Sequence, residues 1–169
     1  MGTSWKMKAV ADSGPIIHLA EIDCLKALKI FKTIIIPEEV LNELSKKKEN
    51  HLNKLKNIKS IQLQAEYKDN AKIFSEEYEL HLGEAEAIAL AIQEKINLFL
   101  TDDLEARTTA KEYHLEVHGT VGIILRAFKE NVLTKEETIK KVNELHKNSS
   151  LFITKDLIDY IQREIHKVK

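Results

Sequence analysis

The chain has 169 residues, of which 43% are hydrophobic, and its 26 basic side chains nearly balance its 27 acidic ones. A chain of this length buries enough surface for one core, so we predict a single globular domain over residues 1–169. The one cysteine, Cys24, excludes an intramolecular disulfide, and no apolar run approaches the roughly 20 residues that span a bilayer. We therefore expect a cytoplasmic protein without a membrane segment.

The first strand is predicted at residues 8–12, where a short apolar run ends in Asp12 and is followed by Ser-Gly-Pro. Glycine and proline end strands, and Pro15 suits the first turn of a helix, so this segment is typical of a strand-turn-helix unit. Residues 1–6 precede the strand and are expected to be a leader or an artificial extension outside the fold.

Helical and strand patterns then alternate along the chain. The first half is predicted to contain strand 8–12, helix 16–30 with a break near residue 23, strand 33–36, helix 38–48, an edge strand or loop at 58–63, and helix 66–80. The second half is predicted to contain helix 83–95, strand 97–101, helix 103–113, strand 115–118, and helices 120–129, 134–147 and 154–167. This alternation predicts a three-layer α/β/α domain with a central parallel sheet of four to five strands. Residues 131–169 are expected to be a helical extension of the same domain.

Acidic side chains follow two of the predicted strands. Asp12 ends the first strand, and Asp102 and Asp103 come directly after strand 97–101. Ligands of open parallel sheets bind beyond the carboxyl ends of the strands, so these acids are candidates for a functional site. Each also precedes a helix, where aspartate is a favoured N-cap, so a purely capping role remains the alternative for each.

Helix 38–48 carries a further candidate acid. Val40, Leu41 and Leu44 mark its buried side, and Glu43 is the acid of this helix that lies closest to that side. The alternative is an ordinary boundary glutamate that pairs with Lys47 one turn later.

The helix that begins near Gly83 carries two more acids. Glu84 lies one turn from the buried Ile88, whereas Glu86 projects away from the apolar stripe. Both acids also lie in the first helical turn, where a negative charge favourably meets the helix dipole, so a structural role is the alternative here as well.

Carboxylates that meet in one cleft repel one another unless a cation lies among them. Oxygen ligands with open water positions are what Mg²⁺ and Mn²⁺ require, and such sites perform metal-assisted phosphodiester chemistry. Zinc is not predicted, because the histidines show no ligand spacing with cysteine, and His18 on the apolar first helix is interpreted as a packed side chain. Phosphate-binding loops and nucleophile-elbow motifs are absent from the sequence, which argues against nucleotide-driven motors and acyl-transfer enzymes.

Four short motifs occur in order along the chain: VADSGPIIHLA, IPEEVLNEL, GEAEAIALA, and LFLTDDLEARTTA followed by HGTVGIIL. Together they resemble the PIN-domain nucleases, specifically the prokaryotic branch that contains VapC-like toxins. The resemblance covers residues 8–129 well and the rest of the chain loosely. The middle acid of most VapC-like proteins is aspartate, whereas here it is glutamate within a GEAEA motif.

The resemblance implies a catalytic and metal-binding set with supporting hydroxyl groups. Its four acids are Asp12, Glu43, Glu84 and Asp103, with Glu86 and Asp102 as alternates, because the middle motif aligns with either glutamate and Asp102 adjoins Asp103. The supporting hydroxyls are those of Ser13 and Thr101.

The resemblance further implies a metal-dependent endoribonuclease that uses Mg²⁺ or Mn²⁺, acts on RNA and is a toxin with an antitoxin partner. A homodimer is expected from the resemblance and from the apolar helices 121–128 and 157–165. Arg107, one turn beyond Asp103, is the best candidate for a phosphate contact, and Lys47 is a second. The alternative function is a PIN-like scaffold that binds RNA or protein without cleaving it.

Overall fold

The computed structural model describes residues 7–47 and 51–168, and this part of the chain contains five strands and eight α-helices. The strands are β1 (Lys8–Ala11), β2 (Thr33–Ile36), β3 (Ile58–Ser60), β4 (Leu98–Leu100) and β5 (Glu116–His118). The helices are α1 (Ser13–Glu21), α2 (Glu38–Ser45), α3 (Ala65–Glu77), α4 (Leu82–Glu94), α5 (Leu104–Glu112), α6 (Thr120–Lys129), α7 (Lys135–Asn148) and α8 (Lys155–His166). The expectation for residues 1–6 concerns residues outside the described ranges.

The five strands form one parallel sheet in the order β3-β2-β1-β4-β5. The predicted three-layer α/β/α architecture is therefore confirmed, with the segment at 58–63 contributing an edge strand. The predicted helix break also occurs: α1 ends at Glu21, Asp23 has a left-handed backbone with φ of 50°, and a 3₁₀ helix follows over Leu25–Ile30.

Alternate residues of the central strands enter two separate cores, one on each face of the sheet. In β2, Ile34 and Ile36 belong to a core cluster that includes buried residues of α1, α2, α6, α7 and α8, whereas Ile35 belongs to a second cluster with residues of α3, α4 and α5. In β4, Phe99 faces the second core in the same way. Successive side chains of a strand point to opposite faces, so these continuous apolar runs require helices on both sides.

The last two helices belong to the first of these cores. Val142 and Leu145 of α7 and Ile158, Ile161 and Ile165 of α8 are buried in the same cluster as β1. This packing supports the expectation that residues 131–169 extend the same domain. The domain assignment itself stays a prediction. None of the helices in residues 7–47 and 51–168 has the length and apolar character needed to span a membrane.

The order of the strands fixes where a ligand can approach. From β1 the chain moves outward to β2 and β3, then returns to β4 on the other side of β1. The connections that leave β1 and β4 therefore diverge and open a crevice beyond the carboxyl ends of these two strands. Asp12 and residues 101–103 follow these ends, and the Asp12 amide donates to the Leu100 carbonyl at 3.1 Å.

Candidate active site

A cavity of about 460 Å³ opens beyond the carboxyl ends of β1 and β4. We call it the acidic cavity, because five carboxylates line it: Asp12, Glu43, Glu84, Asp102 and Asp103. Neither lysine nor arginine is among the described residues of its lining. The four acids implied by the motifs therefore share one cavity, and no lysine or arginine in its described lining compensates their charge.

Asp12 is 4% exposed, and each of its carboxylate oxygens accepts a hydrogen bond from the protein. Its Oδ1 accepts a 3.0 Å hydrogen bond from the Gly14 amide and caps α1, while its Oδ2 accepts from the Thr101 hydroxyl. Burial raises the pKa of Asp12 to about 7, although both hydrogen bonds lower it and nearby Glu84 and Asp102 raise it. The ionised form of this carboxyl is therefore costly unless a cation approaches it.

Asp103 caps the next helix of the site. Its Oδ1 accepts a 2.8 Å hydrogen bond from the Ala106 amide at the start of α5. Its own amide donates to Thr101 Oγ1 at 3.2 Å, so the buried Thr101 side chain joins Asp12 to Asp103. The capping role considered for both aspartates is thus real, and it coexists with their position in the cavity.

Glu43 of α2 is held by a residue of another helix, α1. The Ser13 hydroxyl donates a 2.6 Å hydrogen bond to Glu43 Oε2. The other oxygen, Oε1, lies against Gly83, where a Cβ atom would approach it to 2.5 Å. Gly83 therefore permits the first turn of α4 to lie directly beside this carboxylate.

Glu84 and Glu86 lie in different environments, although they are two residues apart. Glu84 lines the acidic cavity, and its Oε2 accepts a 3.0 Å hydrogen bond from the His81 amide. Burial, with Asp103 and Glu43 nearby, raises the pKa of Glu84. Glu86 instead borders a separate small cavity, where its Oε2 accepts from the Glu39 amide at 3.3 Å. Of the two glutamates, Glu84 lines the acidic cavity and Glu86 does not.

Asp102 is occupied by protein donors on both oxygens. Oδ1 accepts from the Thr120 amide at 2.7 Å, and Oδ2 accepts from the Thr120 hydroxyl at 2.5 Å and contacts His18 Nδ1 at 2.7 Å. Burial alone would raise the pKa of Asp102, but the hydrogen bonds from His18 and Thr120 outweigh it and hold the pKa below its ordinary value. Asp102 therefore orients its neighbours in this arrangement.

His18 is interpreted from the sequence as a packed side chain, and its partner and position are given by the tertiary structure. It lies at the wall of the acidic cavity, with a side chain that is 14% exposed and held by Asp102. An apolar helix face does not reveal this position, because the partner carboxylate lies 84 residues further along the chain.

The two predicted phosphate contacts do not line the acidic cavity. Lys47 is an exposed residue after the end of α2, and Arg107 borders a neighbouring cavity instead. The one-turn spacing did not decide this, because Asp103 is the N-cap of α5, with an extended backbone and a side chain that accepts from the Ala106 amide, so the i, i+4 rule for helical side chains does not apply to this pair.

Other residues of the acidic cavity carry no motif in the sequence. His81 is the N-cap of α4 but is not one of the residue types that favour this position, and Ser150, Leu151 and Phe152 lie in the loop between α7 and α8. No local sequence pattern predicts that this loop belongs to the site, because the packing of α7 and α8 brings the loop to the acidic cavity.

The donor set of the acidic cavity fits a hydrated hard cation. As placed, no three His, Cys, Asp or Glu side chains in the described residues are grouped to hold a metal ion. Three oxygens accept no hydrogen bond from the described residues: Glu43 Oε1, Glu84 Oε1 and Asp103 Oδ2. Mg²⁺ keeps several of its waters and is bound through one or two carboxylates, so uncompensated carboxylates around an open cavity suit it.

Comparison with known protein families identifies the class. A family model described as a PIN domain matches residues 8–167. No curated protein and no solved structure matches the chain significantly. The chain therefore belongs to the PIN-domain family, and its fold is of the nuclease type.

Proposed function

We propose that this PIN domain is a metal-dependent endoribonuclease whose metal-binding and catalytic residues are Asp12, Glu43, Glu84 and Asp103. The observation that carries the proposal is the acidic cavity, which these four carboxylates line without a lysine or arginine among its described lining residues. A bound Mg²⁺ or Mn²⁺ supplies an activated water and polarises the scissile phosphodiester.

The residues around the four acids hold them in place for this chemistry. Thr101 orients Asp12 and Asp103 together, and Ser13 fixes one oxygen of Glu43. The Gly14, His81 and Ala106 amides each hold one carboxylate oxygen. Bonds of this kind reduce the reorganisation that accompanies cation binding, and their loss typically weakens metal affinity.

RNA is the proposed substrate, in keeping with the PIN family and with the resemblance to VapC-like toxins. Phosphate contacts release counterions, so cleavage should fall steeply as salt is added. Arg107 lies next to the acidic cavity rather than in it, and its loss should weaken RNA binding more than metal binding.

The test is incubation of the purified protein with a mixed RNA pool under Mg²⁺, Mn²⁺ or chelator. The wild type should cleave only with a divalent ion, and Asp12→Asn should be inactive while its circular dichroism spectrum is unchanged. Glu86→Gln is the matched control for Glu84→Gln, because both acids lie on α4 and only Glu84 lines the acidic cavity.

Equal cleavage by the wild type and Asp12→Asn would identify a contaminating nuclease. No cleavage by the wild type under any condition would favour the alternative, a PIN-like scaffold that binds RNA or protein without cutting. Loss of metal binding in Glu86→Gln alone would reverse the choice of the middle acid.

We also propose a VapC-like role as the toxin of a toxin-antitoxin pair, which rests on the four motifs. Growth arrest on expression of the wild type, but not of Asp12→Asn, would support it, and a neighbouring gene for a small partner protein would be the first place to seek the antitoxin. The proposed homodimer is measured by light scattering at micromolar concentration. The isoleucines of α6 and α8 are largely buried in the protein's own core, so their apolar character does not by itself require a dimer.

A further inference from the structure

A second cavity of about 420 Å³ adjoins the acidic cavity. The two cavities share Asp102, Leu151 and Phe152 at their boundary. We call the second one the side cavity. A substrate that crosses the acidic cavity therefore reaches the side cavity without leaving the protein surface.

One wall of the side cavity presents an uncommon aromatic side chain. Phe152 is 90% exposed, and Leu104 and Leu157 beside it are 75% and 45% exposed. The loop that carries Phe152 is nevertheless anchored on both sides. The Ser150 hydroxyl donates to Glu21 Oε1 at 2.7 Å, and the buried Ile153 carbonyl contacts His146 Nδ1 at 2.9 Å. The exposed ring is thus held outward by an ordered loop.

The side cavity is also lined by Arg107, whose side chain has no hydrogen-bond or ion-pair partner in residues 7–47 and 51–168. Arg107 borders the cavity, and its Nε is buried but donates to no acceptor in the described residues. Its guanidinium packs against the bare backbone of Gly119, where a Cβ atom would lie 2.0 Å from Arg107 Nη2. The nearby Asp102 is already occupied by His18 and Thr120. Arg107 is therefore held in place; its Nε is too buried to reach a ligand, so the Nη groups of this partly exposed, cavity-lining side chain are the donors left for one.

We propose that the side cavity binds the nucleotide next to the scissile phosphodiester, with its base stacked on Phe152 and its phosphate on Arg107. An exposed aromatic ring can stack on a base, and a guanidinium group can bind a phosphate. The two groups at one site therefore match a nucleotide better than either group would alone. Base-aromatic stacking tolerates any base, so this subsite adds affinity and position rather than sequence specificity. The inference rests on the proposed function, since it names the part of the substrate that this second site takes.

The experiment measures the binding of a fluorescein-labelled eight-nucleotide single-stranded RNA by anisotropy, with Ca²⁺ in place of Mg²⁺. A gel run afterwards verifies that the RNA is intact. Phe152→Ala should weaken binding by about ten- to a hundredfold, the loss expected when one stacked base is released. Phe152→Leu should lose nearly as much, because leucine has no ring face, and Phe152→Trp should restore full affinity. Ile73→Ala, which removes an exposed apolar side chain from α3, is the matched control and should bind normally.

Salt dependence separates the two halves of the subsite. Arg107→Gln should flatten the slope of log affinity against log salt by about 0.7, the value for one phosphate contact on a single strand, whereas Phe152→Ala should leave the slope unchanged. Lys111→Gln removes an exposed charge from the same helix and is the control for Arg107→Gln.

The proposal is overturned if Phe152→Ala or Phe152→Leu binds RNA within twofold of the wild type, or if the wild type does not bind the RNA. If Phe152→Ala changed the mass measured by light scattering but not the RNA affinity, Phe152 would be assigned to a protein contact. That result would also overturn the proposal. Failure of the proposed function looks different: the wild type would bind RNA through Phe152 but cleave nothing under Mg²⁺ or Mn²⁺. Cleavage by the wild type with unchanged binding by Phe152→Ala would remove only the subsite.

Discussion

The Ser13 hydroxyl donates a 2.6 Å hydrogen bond to Glu43 Oε2 and thereby joins the first residue of α1 to a carboxylate on α2. With one oxygen of Glu43 held by Ser13, the other is left beside Gly83 at the start of α4. Three separate segments thus determine the direction of one acid of the proposed metal site.

Ser13→Ala should weaken Mn²⁺ binding by about tenfold, the lower end of the effect seen when a bond that orients a metal ligand is removed. Calorimetric titration measures the affinity, and Ser13→Thr, which keeps a hydroxyl, should retain most of it. Equal Mn²⁺ affinities for the wild type and Ser13→Ala would show that Glu43 does not depend on this bond.

Gly83→Ala should also weaken Mn²⁺ binding by about tenfold, because the added Cβ would lie 2.5 Å from Glu43 Oε1 and must displace that carboxylate. Gly122→Ala is the control, since its Cβ would meet His118 Nδ1 at 3.5 Å, an ordinary contact. The same titration applies to both variants. A Gly83→Ala protein with wild-type affinity would mean that Glu43 is not a ligand or that it moves freely.

Asp12→Asn should stabilise the metal-free protein at pH 8 by about 1–3 kcal/mol, although it abolishes metal binding. The pKa of Asp12 rises from 3.8 to about 7 on folding, so between these values the native state holds a proton that the unfolded state has lost. This group therefore makes the free energy of unfolding fall as pH rises from about 4 to 7, with a limit of about 4 kcal/mol. Asparagine removes the buried charge and keeps a capping side chain.

The measurement is urea unfolding of both proteins with chelator at pH 5 and pH 8. The gain in Asp12→Asn should be larger at pH 8 than at pH 5. Added Mn²⁺ should stabilise the wild type alone, since a ligand stabilises only the state that binds it. A constant difference at both pH values would contradict the raised pKa of Asp12.

Asp102→Asn should act in the opposite direction and destabilise the protein by about 1–3 kcal/mol at pH 7, because the bonds from His18 and Thr120 are made to a charged acceptor. The pKa of Asp102 is lowered on folding, so its contribution is present above the ordinary value near 4 and is lost as pH falls below that value. Urea unfolding at pH 7 and pH 3 should therefore show a difference from the wild type that shrinks with acid. A neutral or stabilising effect at pH 7 would rule out this anchoring role.

Much of the fold could be predicted from local patterns. The β-branched and apolar runs that became β1, β2 and β4 are buried on both faces, and such runs rarely suit any structure other than a covered parallel sheet. Asp12 and Asp103 were predicted to lie at the edge of the sheet, because they directly follow strands whose parallel direction was already implied. Their capping roles were equally predictable, since the donors are two or three residues away.

Only the tertiary structure decided which side chains share a cavity. Glu84 and Glu86 are equally good helix residues, and the packing of α4 against its neighbours leaves one of them in the acidic cavity and the other at a separate cavity. His18 pairs with Asp102 across 84 positions, and Phe152 arrives through the packing of α7 and α8. The sequence by itself determined the elements and the acids at their ends, because propensity, periodicity and capping act over a few residues. The cavity depends on how helices pack on the sheet, which is set by contacts between residues far apart in the chain.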